Sequence, residues 1–136
     1  MQIDPIPARH QRTRSDHAAE TAEDYVEAVA DLISETGVCR VTDLARRFGV
    51  SHVTVTKIVG RLRREGLVEG ERHQPLQLSA RGCSLAERAR ERHTIVVNLL
   101  LRLGISPAVA EIDAEGIEHH VSPETLRAFQ DFCQRV

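Results

Sequence analysis

The sequence has few aromatic residues and no long apolar run. Among its 136 residues there is no Trp, one Tyr and only three Phe. Helices that pack through Leu, Val, Ile and Ala are therefore the expected core, and the composition favours a mainly α fold. No stretch of about eighteen apolar residues is present to span a membrane, and the N-terminal residues lack the apolar centre of a signal peptide. These absences predict a cytoplasmic protein.

Cysteine and catalytic motifs are also scarce. The three cysteines, Cys39, Cys83 and Cys133, are far apart and form no CxxC pair. This pattern argues against a disulfide framework or a thiolate zinc site, so we expect three small, largely hydrophobic thiols. The sequence contains no HExxH motif, no Glu-x-x-His pair of the di-iron type and no nucleophile elbow. It therefore predicts a protein that is not an enzyme.

The small net charge of −2 is the sum of two oppositely charged segments. Residues 40–72 carry eight Lys or Arg against four acidic residues, whereas residues 104–131 carry six acidic residues against one Arg. A basic segment suits phosphate groups and an acidic segment suits cations. The two halves of the chain are therefore expected to bind different partners.

Three segments follow from the changes in pattern along the chain. Residues 1–19 have little apolar periodicity and are predicted to form a flexible basic arm. Residues 20–79 are predicted to form a winged helix-turn-helix DNA-binding domain, which begins with a helix that ends near Gly37. Residues 80–136 are predicted to form an all-helical domain, and the family resemblance given below implies that this domain binds metal and dimerises.

The DNA-binding domain is predicted from caps, a turn and apolar spacing. Thr42 and Ser51 are placed to cap two short helices, and Gly49 is placed for the tight turn between them. Two short apolar runs, 67–68 and 76–78, then predict a hairpin or wing. The inward-facing positions of the two helices are predicted to be Leu44, Ala45, Phe48, Val55, Ile58, Val59 and Leu62.

The second of these helices has the features of a recognition helix. Such a helix reads base edges with the side chains of its first turns, while basic groups on its flanks contact phosphates. The alternative is a helical hairpin used only for packing, with its arginines solvated. The predicted DNA-binding residues are Arg46, Arg47, Ser51, His52, Val53, Thr54, Thr56, Lys57, Arg61 and Arg72.

The C-terminal domain is predicted to contain three helices. A long apolar stripe begins after Ser79 and ends at Gly104, and two Ser-Pro pairs, 106–107 and 122–123, are placed to start two further helices. The leucine-rich long helix and the last helix are the predicted dimer surfaces, although both could simply be core.

The stretch DAEGIEHHVSPETL, residues 113–126, is the strongest candidate for metal chemistry. On a helix, Glu115, Glu118 and His119 share a face, because they are three or four residues apart. They supply only part of a site, since a hard cation such as Mn2+ takes about six mostly oxygen ligands. Gly116 is costly inside a helix and is a candidate point of close approach.

Pattern alone gives two further sources of ligands. Asp24 and Glu27 lie off the apolar stripe of the first helix, and His93 lies on the apolar stripe of the long helix. A simpler interpretation is also open: Asp24 and Glu27 could be solvated charges, and His93 could be a core histidine. Periodicity cannot decide between these interpretations.

Four blocks of the sequence carry a resemblance: EDYVEAVADLI, VTDLARRFGVSHVTVTKIVGRLRREGLV, ERHTIVVNLLLRLGIS and DAEGIEHHVSPETL. In this order they resemble blocks of the diphtheria-toxin-repressor family of metal-dependent regulators, and the resemblance runs from about residue 20 to the end. Iron-responsive relatives have a Cys where this chain has Glu115, and a carboxylate there favours Mn2+ over metals that prefer sulfur. The resemblance implies a pair of adjacent divalent-metal sites formed by Asp24, Glu27, His93, Glu115, Glu118 and His119.

The resemblance also implies a function. It predicts a homodimeric, Mn2+-dependent repressor of manganese uptake genes that binds two Mn2+ per subunit and double-stranded operator DNA. Metal binding would order the dimer for DNA binding, and neither a membrane nor a small organic substrate is an expected partner. The alternatives are a winged-helix regulator that senses Fe2+ or a small organic ligand, and a small dinuclear metallohydrolase.

Overall fold

The computed structural model is mainly α-helical, as the composition predicted. It describes residues 6–71 and 73–135, with side chains from residue 17 onward. Within these residues no helix is both long enough and apolar enough to cross a membrane. The elements are α1 (Ile6–Thr36), α2 (Val41–Phe48), α3 (His52–Arg64), β1 (Val68–Glu69), β2 (Gln77–Leu78), α4 (Ala80–Arg102), α5 (Pro107–Ile117) and α6 (Pro123–Gln134).

The chain divides into two compact units. Thr21–Glu87 form the first, called here the winged-helix unit, and Met1–Glu20 with Arg88–Val136 form the second, called here the helical unit. Each unit has a hydrophobic cluster of its own. The predicted site residues are divided between the two units.

The winged-helix unit is built around aliphatic side chains from α1, α2 and α3. Leu44, Val55 and Leu62 are fully buried, which confirms the predicted inward faces of the helix-turn-helix. Tyr25 of α1 stacks on Phe48 of α2 with ring centroids 4.4 Å apart. The predicted wing is present as an antiparallel pair of strands in which residue 68 pairs with residue 78.

Local hydrogen bonds fix the turn between α2 and α3. Gly49 ends α2 with a φ of 64°, a left-handed conformation that favours glycine. Ser51 caps α3 as predicted, because its Oγ accepts from the backbone N–H of Thr54 at 3.1 Å. The prediction that Thr42 caps α2 was wrong. The cap is Arg40, whose backbone N–H donates to Asp43 Oδ2 at 2.8 Å, so a carboxylate one turn into the helix replaces the usual cap side chain.

The first helix begins well before its predicted start. α1 begins at Ile6, so the part of the predicted basic arm that the structure describes is helical. Apolar periodicity is absent there, but Ala, Arg and Gln have good helix propensity, and Pro7 falls in the first turn, where a missing N–H is tolerated. The arm prediction for residues 1–5 lies outside the described residues.

The helical unit packs α4, α5 and α6 around a small apolar cluster. Val96, Ala114 and Leu126 are its buried members, one from each helix. Both Ser-Pro pairs start helices as predicted, with Ser106 and Ser122 as the N-caps of α5 and α6.

The expectation that Gly116 marks a close approach was wrong. Apart from its chain neighbours and the backbone of its own helix, a Cβ built on Gly116 has no atom within 4 Å, so this side of α5 is open. The close approach is instead at Gly82 in α4, where a Cβ would collide with the carbonyl oxygen of Leu67.

Candidate metal centre and nucleic-acid interface

The first turns of α3 present an exposed surface of mixed polarity. Ser51, His52, Thr54, Thr56 and Lys57 are all exposed, and they bring hydroxyl, imidazole and ammonium groups to one end of the helix. Such groups can bond to base edges and phosphates.

Val53 adds an apolar group to this surface. Val53 is 64% exposed, so its methyl groups are accessible to a partner. An exposed methyl group here is suited to contact with a thymine methyl. The exposed face of α3 therefore combines hydrogen-bonding and apolar groups, as a recognition helix does.

Some of the flanking arginines form ion pairs with carboxylates of the chain. Arg47 lies 3.5 Å from Asp31 and 3.6 Å from Glu35, and Arg61 lies 3.5 Å from Glu65. Exposed ion pairs of this kind are weak, so these arginines remain able to exchange a carboxylate for a phosphate. Arg46 is exposed on α2, and the predicted DNA contact of Arg72 lies outside the described residues.

The centre of the candidate metal site is His93 of α4. Its Nδ1 lies 2.6 Å from Oε2 of Glu118 and 3.5 Å from Oε1 of Glu115. One ligand atom from each of these three residues falls within 4.8 Å of the other two. The structure therefore brings together three of the six predicted ligands within the helical unit.

The electrostatics of this cluster are those of a cation site. The Glu118 side chain is fully buried, and a buried carboxylate is costly unless a positive group compensates it. Burial by itself would lower the pKa of His93, but a hydrogen bond to Glu111 and the charges of Glu118 and Glu115 outweigh it, so the pKa is raised. A protonated His93 is thus favoured beside the buried carboxylate.

The donor set fits a hard divalent cation. One imidazole nitrogen and two carboxylates already converge, and Mn2+ is bound by such nitrogen and oxygen donors. No thiolate is among the three converging ligands, which distinguishes this cluster from sites for soft metals.

His119 lies past the end of α5. The helix ends at Ile117, and Glu118 is its C-cap with helical backbone angles, so Glu115 and Glu118 face His93 from one side of the helix as predicted, whereas His119 lies beyond that face. His119 Nε2 is still 3.4 Å from Oε1 of Glu118, because the turn keeps the two side chains adjacent. His119 also lies within 4.8 Å of a ligand atom of Glu20.

The remaining predicted ligands belong to the winged-helix unit. Asp24 and Glu27 are three residues apart on α1 and are half-buried, so they are not the fully solvated charges of the simple interpretation.

Two acidic residues near the histidines were missed at the level of sequence. Glu111 Oε2 lies 2.7 Å from Nε2 of His93, and Glu20 Oε2 lies 3.3 Å from Nε2 of His120. Glu111 precedes Glu115 by one helical turn, so the spacing alone would have placed it on the ligand face. No local pattern connects Glu20 to a residue so distant in sequence.

A winged helix with an exposed recognition helix, on a chain that also clusters metal-ligand side chains, is the organisation of a metal-responsive transcription regulator. Comparison with known families agrees. Residues 17–75 match the family described as "Iron dependent repressor, N-terminal DNA binding domain", and residues 79–136 match "Iron dependent repressor, metal binding and dimerisation domain". The chain belongs to this family, the diphtheria-toxin-repressor family, which confirms the resemblance predicted from the sequence. Its members are DNA-binding repressors and not enzymes.

Relatives within the family are closely similar in sequence. The chain is 50% identical over 124 residues to "Transcriptional regulator MntR" of Escherichia coli O6:H1, across 91% of this chain and 80% of the relative. It is 34% identical over 112 residues to "HTH-type transcriptional regulator MntR" of Listeria monocytogenes, across 82% of this chain and 79% of the relative.

Solved structures share the fold. A "Manganese-dependent transcriptional repressor complex with manganese" superposes with a TM-score of 0.72 at 25% identity, and "Structure of the manganese regulator SloR" with a TM-score of 0.70 at 25% identity. Both matches cover 82% of this chain and 52% of the other, so the chain spans about half the length of these solved regulators.

Proposed function

We propose that the protein is a Mn2+-dependent transcriptional repressor of manganese uptake genes, acting in the cytoplasm as a homodimer on double-stranded operator DNA. The observation that carries the proposal is the convergence of His93, Glu115 and Glu118 on a chain that also carries an exposed recognition helix. The titles of two similar solved regulators name manganese, which supports manganese as the metal. Bound metal would supply positive charge among carboxylates that otherwise repel one another.

Two Mn2+ per subunit are proposed, held by Asp24, Glu27, His93, Glu115, Glu118 and His119. The contacts among His93, Glu115, Glu118 and His119 support four of these ligands. For Asp24 and Glu27 the proposal rests on the sequence resemblance. The predicted DNA-binding residues stay a proposal, supported by the exposure of the first turns of α3.

Exposed apolar side chains of the helical unit support the homodimer. Ile112 is 72% exposed, and Leu103 and Val109 are also exposed in the single chain. Covering them would bury apolar area that water otherwise contacts. The surface includes α5, which the sequence did not single out as a dimer surface.

The test is operator binding as a function of Mn2+. The Mn2+-loaded protein first selects its preferred sequence from a random duplex library, and the affinity for that duplex is then measured with Mn2+ and with excess chelator. Wild type should bind tightly only with Mn2+. Glu118→Gln should require far more Mn2+, because it removes the buried anionic ligand, whereas Glu124→Gln, which changes an exposed carboxylate of α6, should behave like wild type.

Equal operator affinity in chelator and in Mn2+ would contradict the proposal. The same titration with Fe2+ tests metal choice, since Glu115→Cys should shift preference from Mn2+ toward Fe2+ if a hard ligand there favours Mn2+. An unchanged preference would show that selectivity arises elsewhere.

A further inference from the structure

The contact between His93 and Glu111 is not explained by the proposed ligand set. The two nitrogens of the His93 ring point in different directions, and the structure gives them different partners. Nδ1 faces Glu118 and Glu115, whereas Nε2 lies 2.7 Å from Oε2 of Glu111. A cation held among Nδ1, Glu115 and Glu118 would therefore leave Glu111 on the far side of the ring.

A neutral imidazole that binds a metal through one nitrogen is held in a single tautomer. The nitrogen that binds the metal offers a lone pair, so the other nitrogen carries the proton and needs an acceptor. Glu111 is placed to be that acceptor, because an ionised carboxylate accepts hydrogen bonds and donates none. The bond would also hold the plane of the ring toward Glu115 and Glu118.

We propose that Glu111 is a positioning residue for the metal centre: its carboxylate accepts a hydrogen bond from Nε2–H of His93, and so directs the lone pair of Nδ1 at the cation. The inference rests on the proposed metal-binding role of His93. It adds a residue to the site that acts through His93 and does not itself contact the metal.

The position of Glu111 makes the inference testable without damage to the fold. Its side chain is 62% exposed, so its removal opens no cavity in the hydrophobic cluster of the helical unit. Asp113 is an exposed carboxylate two residues further along α5. Asp113→Ala therefore removes the same charge from the same helix without removing the contact to His93, which makes it the matched control for Glu111→Ala.

The first measurement is Mn2+ affinity of the purified protein by calorimetry. Partners of ligating histidines typically contribute about 10- to 100-fold in metal affinity, so Glu111→Ala should bind Mn2+ at least about 10-fold more weakly than Asp113→Ala. Glu111→Gln keeps an acceptor oxygen and should recover most of the loss. If Glu111→Ala and Asp113→Ala have the same affinity, the inference is wrong.

The second measurement is NMR of 15N-histidine-labelled protein loaded with Cd2+ as a diamagnetic stand-in for Mn2+. In wild type, His93 should be bound through Nδ1 and carry a slowly exchanging proton on Nε2; in Glu111→Ala that proton should exchange faster with water. Binding through Nε2 in wild type, or an unchanged exchange rate in the variant, would overturn the inference.

The two proposals fail differently. Wild type that binds Mn2+ and operator while Glu111→Ala matches its control refutes only the role of Glu111. Wild type that binds no Mn2+ refutes the proposed function, and with it the ligand role that Glu111 is proposed to support.

Discussion

At the scale of single residues, His93 best shows how one position acquires two interpretations. In sequence it continues the apolar stripe of α4, where a histidine is usually a core residue. In the structure its ring is mostly buried, but both nitrogens face carboxylates from residues 18 and 25 positions later. Both ring nitrogens of His93 are therefore next to carboxylates, and a histidine that shares a metal ion with carboxylate ligands needs such neighbours.

The raised pKa of His93 predicts a pH dependence of stability in the metal-free protein. A group whose pKa is higher in the folded than in the unfolded state contributes stability that is present below the unfolded pKa, about 6.5 for His. That contribution is lost as pH rises through the raised folded pKa. The difference in unfolding free energy between wild type and His93→Gln, measured by urea denaturation with chelator present, should therefore shrink as pH rises from about 6 to about 9.

The comparison with His93→Gln cancels the titration of groups that the two proteins share. A difference that stays constant over this pH range would contradict the raised pKa. Saturating Mn2+ should reverse the trend, because the metal binds only the neutral imidazole and its affinity rises with pH.

At the scale of elements, the helix boundaries follow local signals unevenly. Ser51 and Ser122 start their helices with hydrogen bonds of 3.1 Å to the third residue beyond each, as their residue types predict. The end of α5 at Ile117 is not marked by a C-terminal glycine, and the sequence does not predict it. The glycine of this segment, Gly116, lies inside the helix.

The two helical glycines, Gly116 and Gly82, should respond oppositely to the same substitution. Gly116→Ala should stabilise the protein by up to about 1 kcal/mol, because Ala has the higher helix propensity and the added Cβ meets open space. Gly82→Ala should destabilise it, because the added Cβ collides with the backbone of Leu67. Urea denaturation of the metal-free variants, which separates these effects from metal binding, checks both.

The Gly82→Ala variant tests a specific packing contact of the structure. If Gly82→Ala were as stable as wild type, the close packing of α4 on the segment that precedes β1 would be contradicted. A Gly116→Ala variant that lost stability would instead indicate that α5 is not helical at this position in solution.

At the scale of the whole molecule, the chain combines a DNA-binding domain with a metal-binding and dimerisation domain, as the family matches show. The charge split of the sequence follows this division, since the basic residues 40–72 contain α2 and α3 and the acidic residues 104–131 contain α5. The acidic segment therefore lies in the domain that the family matches assign to metal binding.

Mn2+ should raise the thermal stability of the protein. A ligand that binds only the folded state stabilises it by about 2.7 kcal/mol at a concentration of 100 times its Kd. The melting temperature should rise with Mn2+ concentration in wild type and much less in Glu118→Gln. A regulator that senses only a small organic ligand would show no such rise, so an unchanged melting temperature in wild type would favour that alternative.

The sequence by itself determined the order of elements, the turn of the helix-turn-helix, the Ser51 cap of α3 and the wing. These depend on residue types within a few positions of one another, and local spacing expresses them directly. The tertiary structure alone decided which side chains face His93, that Gly82 rather than Gly116 is a close approach, and that Ile112 stays exposed. Those features depend on distances between segments far apart in the chain, which periodicity does not encode.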